Sequence, residues 1–269
     1  MRQFTWISLL ALAFSLGSAP SFADEKPKEA QTKDTKEAQA KDANKTRTID
    51  ANVSKIYLGG VATLQLHQGP TPSLVVVGDE DTSKQITTVQ SGDTLRIETT
   101  HGFFLHVPSI HIELTLPKLT NFTSSGVGSA QITGFSGDDL QLTITGTGDV
   151  TVNANYKRVV ARSSGVASLT LNDLDSDSID VSLPGAGHVT LIGQTKTLMS
   201  HINGVGSLDA KDLKADAVTT YLNGVGSAKV FAKESANMYL HGVGSAMVYG
   251  NPTVRKAEVS GFGKVTWEQ

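Results

Sequence analysis

Three pairs of side chains recur toward the carboxyl end: His201 with Asn203, Tyr221 with Asn223, and Tyr239 with His241. The two members of a pair are two residues apart, and successive pairs follow at intervals of 20 and 18. A ring beside an amide or a second imidazole is the equipment of a sugar-binding surface, in which ring faces stack on the pyranose and polar tips bond its hydroxyls. The competing reading is that these groups only pair with their neighbours in the fold, as cross-strand partners do. Either way, the three pairs must stand on adjacent strands.

Other chemistry reads less well. The acidic run "NDLDSDSID" holds Asp173, Asp175, Asp177 and Asp180 but lacks the glycine and terminal glutamate of an EF-hand loop, so it reads as a solvated turn. The Gly-x-Gly units are followed by strand-like residues, whereas a phosphate cradle needs a helix amino end there. Calcium-binding nonapeptide repeats require a recurrent aspartate after the glycines, where only Asp149 stands among Ser129, Ser168, Ser207, Ser227 and Ser245. The seven histidines are scattered, and Asp149 and Glu258 are isolated. No catalytic residue, metal ligand or cofactor is assigned. The alternative function is a polysaccharide lyase or hydrolase, because parallel β-helices can carry a catalytic cluster on one outer sheet.

What positions the candidate pairs is a repeat. Gly126, Gly146, Gly165, Gly185, Gly204, Gly224, Gly242 and Gly261 open successive Gly-x-Gly or Gly-x-Ala units at steps of 20, 19, 20, 19, 20, 18 and 19 residues. Periods near 20 mark solenoids, whose units bury their apolar faces against one another. Within a unit the apolar residues alternate, as in "LQLTITGTGDVTV", which is strand periodicity. The ten or so residues between motifs are too few for a helix with its connections, which disfavours a leucine-rich repeat. The spacing therefore predicts an all-β, single-stranded parallel β-helix with about 19–20 residues per coil. Its glycines mark corners that need either positive φ or almost no side chain, and Ala167 in one second-glycine position favours the size requirement. Two columns should be interior ladders: Ile144, Leu183, Ile202, Leu222, Leu240 and Val259 before the glycines, and Val150, Leu169, Val189, Leu208, Ala228, Ala246 and Val265 after them. The valines between the glycines form a third column, core if inward and an apolar stripe suited to protein contact if outward.

The remaining segments bound this domain. Residues 1–23 have Arg2, an apolar run from Trp6 to Leu16 and small residues at 21 and 23, the pattern of a secretory signal peptide. Residues 24–47 hold seven basic and six acidic side chains without an aromatic or branched aliphatic one, the composition of a disordered tether. Residues 48–118 read as an irregular amino-terminal β cap with the first coils, and 119–269 as the Gly-x-Gly helix. Phe262 and Trp267, large where earlier units are small, are expected to close the carboxyl end. With no cysteine there is no disulfide framework. A formal net charge of −3 gives no pull toward nucleic acid, and no segment after the signal is apolar enough to span a membrane.

Taken together, the exported start, "SGDTLRIE" at 91, "IHIELTLPKLTNFTSSGVGSAQI" at 110 and the Gly-x-Gly ladder resemble the bacterial family described as putative auto-transporter adhesin, head GIN domain, over residues 48–269. The resemblance implies a right-handed parallel β-helix in the cell envelope, periplasmic or on the surface. The expected role is a non-catalytic, adhesin-like or scaffold module whose partner is an envelope glycan or envelope protein.

Overall fold

The computed structural model describes residues 45–78, 80–99 and 110–268. The segment read as a signal peptide and most of the segment read as a tether lie outside them. What is described is nearly all strand and winds as a β-solenoid of about seven turns.

The amino-terminal part comprises β1 (Lys45–Arg47), β2 (Lys55–Leu58), β3 (Val61–Gln68), β4 (Ser73–Val77), the short α1 (Glu80–Lys84), β5 (Ile86–Ser91), β6 (Thr94–Thr99) and β7 (His111–Leu116). The repeat follows with β8 (Asn121–Ser124), β9 (Val127–Ile144), β10 (Thr147–Ser163), β11 (Val166–Leu183), β12 (Ala186–Ile202), β13 (Val205–Leu222), β14 (Val225–Leu240), β15 (Val243–Tyr249), β16 (Val254–Val259) and β17 (Phe262–Trp267).

From β9 to β14 each coil pairs in parallel with the next over nearly its whole length, in register at the glycine motif. The two expected interior columns are buried through most of the stack, with Ile144, Leu183, Ile202, Leu222 and Leu240 at 2 % exposure or less. Each such leucine contributes about 1.5–3 kcal/mol on burial. Side-chain size falls along the axis, from Phe122, Phe135 and Tyr156 to Ala228, Ala232, Ala236 and Ala246. The Tyr156 hydroxyl donates to the Leu119 carbonyl at 2.6 Å, so its one polar group is satisfied inside the core.

The glycine corner begins earlier than its sequence motif suggests. Val61 pairs with Val127 and Ala62 with Gly128, so Gly60 and Ala62 of "LGGVAT" occupy the two motif positions one coil below Gly126 and Gly128. At the first motif position from Gly126 to Gly261 no left-handed φ occurs. The constraint there is space, since an added Cβ would overlap the carbonyl oxygen of the motif glycine one coil earlier. That oxygen is engaged: Gly204 O, for example, accepts from Val225 N at 3.0 Å. Left-handed φ is added only in the first coils, at Gly60 (78°), Gly128 (144°) and Gly148 (135°).

The two ends differ. β6 and β7 pair with β2 and β3 from below, while β8 and β9 pair with them from above, so the chain lays its third coil-like turn over its first. Antiparallel β4 and β5 then cover β7 and β6, and β1 pairs with β4. Unpaired parallel edges are thereby blunted at the amino end. Lys45–Arg47, expected to belong to the tether, are ordered by this pairing. Arg47 also donates to Thr88 Oγ1 at 2.8 Å and to the Ile86 carbonyl at 2.8 Å.

At the carboxyl end all six residues of β16 are exposed. Val259, expected inside, is 43 % exposed because no described coil covers it. Trp267 and Val265 pack against the core end. Phe262 does not join them: it is in register with outward-facing Val243 and is 88 % exposed, so it continues the valine column instead of closing the core.

Candidate functional site

Parallel in-register stacking brings all six candidate residues together on three successive coils. His201 aligns with Tyr221, and Tyr221 with Tyr239. Each sits between buried neighbours on its own strand, which turns it outward, and the three are half-buried. Asn203, Asn223 and His241 form the next outward column, just before the glycine corner, and are exposed. Asn223 Nδ2 donates to Asn203 Oδ1 at 2.8 Å, and His241 Nδ1 lies 2.5 Å from Ser260 Oγ.

The ring geometry decides what this wall can do. His201 and Tyr221 stack with centroids 4.9 Å apart and planes 3° from parallel, and Tyr221 and Tyr239 with centroids 4.8 Å apart and planes at 8°. The strand spacing of about 4.8 Å sets that separation, so rings on adjacent coils cover one another's faces. Lys256 covers the last face, with Nζ 4.8 Å from the Tyr239 centroid and donating to its hydroxyl at 3.2 Å. That hydrogen bond, with the field of Tyr239, holds the Lys256 ammonium above its ordinary pKa. Both faces of Tyr221 are thus occupied, and the expected stacking of sugar on tyrosine is not available there. What the column presents outward is ring edges, phenol hydroxyls and imidazole nitrogens, next to primary amides.

The corner opposite the glycines carries a pattern that went unread in the sequence. Asp138, Lys157, Asp177, Lys196, Asp216 and Lys233 stand one per coil, alternating in sign, at steps of 19, 20, 19, 20 and 17 residues. Lys157 meets Asp138 at 2.7 Å, Lys196 meets Asp177 at 2.5 Å and Lys233 meets Asp216 at 2.9 Å. The hydrogen bond from Lys157, reinforced by its charge, depresses the Asp138 pKa, and Lys196 does the same to Asp177. These residues line an open hollow together with Asp175, which accepts from Gln194 at 2.8 Å, and Lys214. Two members of the acidic run are therefore engaged in contacts between coils. Among the described residues no three His, Asp or Glu side chains are grouped so as to hold a metal ion. No helix there is long and apolar enough to cross a membrane.

The family described as putative auto-transporter adhesin, head GIN domain matches residues 52–252. Among solved structures, a putative adhesin from Parabacteroides merdae ATCC 43184 superposes with a TM-score of 0.77 at 20 % identity, over 86 % of this chain and 98 % of that one. A putative adhesin from Bacteroides fragilis NCTC 9343 gives 0.66 at 24 % identity, over 85 % and 98 %. A putative lipid binding protein from Parabacteroides distasonis ATCC 8503 gives 0.74 at 20 % identity, over 84 % and 97 %. At these identities the likeness is one of fold. No curated protein matches the sequence.

Proposed function

The chain belongs to the putative auto-transporter adhesin, head GIN domain family, and from that premise we propose that it is a non-catalytic adhesive module of the bacterial cell envelope that grips glycan chains. The observation that carries this reading is the threefold recurrence, in register, of ring edge, hydroxyl or imidazole, and amide on the coils of Asn203, Asn223 and His241. A polymer lying along the solenoid axis would meet an equivalent set of donors and acceptors about every 4.8 Å, close to one sugar unit. Recognition runs through hydrogen bonds to hydroxyls, with the stacked rings as a rigid backing that costs little side-chain entropy on binding. A secretory signal at residues 1–23 would deliver the module to the periplasm or the surface, and its partner is an envelope glycan.

A polysaccharide-cleaving reading needs two carboxyl groups free to give and take a proton across a bound sugar. Asp177 and Asp216, which line the open hollow, are each held by a lysine. Nothing in the geometry favours that alternative.

Retention on a glycan array and on purified envelope glycan tests the reading. Asn203→Ala with Asn223→Ala should lower retention about tenfold, the loss of one or two hydrogen bonds to hydroxyls. Circular dichroism should be unchanged, because both side chains are exposed. Undiminished retention by that variant would remove the wall from consideration.

A further inference from the structure

An outward ridge runs beside the candidate wall and is not used by it. Val127, Val166, Val205, Val225 and Val243 are 48 to 61 % exposed, and Phe262 extends their column. Thr147 and Ala186 fill the second and fourth of the eight rungs, so the last four, from Val205 to Phe262, are apolar without a break. Such a strip exposes on the order of 500 Å² of apolar surface, at the upper end of what monomers leave bare.

We propose that this ridge is the contact between two copies of this chain lying side by side with antiparallel solenoid axes. A ladder at the coil spacing is matched rung for rung by a surface with the same spacing, and a second copy has it. Charge favours the same occupant. The column just beyond the ridge is uncharged serine, threonine or histidine in the repeat, except for Asp149 on the second rung and Lys264 on the eighth. Both are exposed, and neither forms an ion pair within the chain among the described residues.

A two-fold axis through Val205, the fifth rung, sets the second rung of one copy against the eighth of the other. Asp149 then faces the second copy's Lys264, and this happens twice. The same axis places Thr147 against Phe262, Ala186 against Val225, and Val205 against its own equivalent, so small rungs meet large ones. The other flank, with Asn203 and Asn223, is neutral and adds no charge to desolvate. With both flanking columns the footprint reaches on the order of 800 Å² per copy, the size of a standard specific contact. The two-fold also puts both copies' tyrosine columns on one side of the contact, although the contact does not depend on glycan binding.

Sedimentation of the full chain across concentration tests the arrangement. The wild type should approach twice the monomer mass by about 200 µM, and Asp149→Lys or Lys264→Asp should each weaken the dimer about tenfold or more. The two changes combined should restore it, which a non-specific apolar contact would not do. The chain has no cysteine, so Val205→Cys should form an intermolecular disulfide under a mild oxidant, while Val89→Cys, exposed on β5, should not. A wild type that stays monomeric, a double variant that stays weak, or equal cross-linking at 205 and 89 overturns the proposal. A monomer whose ridge captures phosphatidylcholine vesicles would also overturn it and assign the ridge to lipid.

Discussion

Two corners of the solenoid do the same job by opposite means. At the glycine corner the chain turns where successive backbones approach so closely that a Cβ at Gly224 would overlap Gly204 O, an oxygen already bonded to Val225 N. At the far corner, register is marked by long side chains reaching between coils, Lys157 to Asp138 and Lys196 to Asp177, all of them exposed. The first constraint is steric and permits no relaxation, because the obstacle is backbone. The second is electrostatic, screened by water and salt, and worth little per pair. One corner therefore decides whether the coil can close. The other selects which register is favoured once it has, since like charges on adjacent strands are unfavourable.

The comparison breaks most visibly at the glycines. Gly224→Val should cost upward of about 3 kcal/mol, because no rotamer removes the overlap and the coils must part. Denaturant unfolding followed by circular dichroism would measure it, and a loss below about 1 kcal/mol would show that the corner has slack. Ala167→Gly, at the second motif position, should cost only roughly 1 kcal/mol, from backbone freedom and one lost methyl. The far corner should be more forgiving: Lys196→Asp places three acids on successive coils yet is expected to lower Tm by no more than a few degrees. Lys196→Met should lower it less, since it removes an attraction without adding a repulsion.

The coil period and the two buried columns were legible because the motif glycines and the alternating apolar residues repeat in the linear chain. Three features were not, for different physical reasons. The Gly60–Ala62 corner lacks the second glycine, and the passage of β8 over β2 is a long-range pairing with no local pattern. The charge ladder was in fact written in the sequence, at the same period as the glycines, and a search for sign alternation at 19–20 residues would have found it. The candidate wall was legible as a set of neighbours but not as a surface. Register brings His201, Tyr221 and Tyr239 into line, whereas whether their faces look at solvent or at each other depends on χ angles that residue types do not specify. Phe262 shows the same limit in reverse, since its size suggested a plug while its rung put it outside.

The finest separation of the two corners is by pH and salt, to which the glycine corner is indifferent. Asp138 and Asp177 titrate below their ordinary value in the folded chain. In acid the unfolded chain therefore takes up protons first, and the folded state loses the ladder's contribution as pH falls through the depressed values. Above the ordinary carboxylate pKa of about 3.9 the contribution is complete, so stability should be level from there to neutrality and decline below it. Lys157→Met combined with Lys196→Met removes the cause of both depressions. That variant should show a shallower decline in acid, and raising salt to about 1 M should shift its Tm less than the wild type's. Equal acid slopes in the two proteins would mean that the pairs hold no free energy, leaving the steric corner to set register alone.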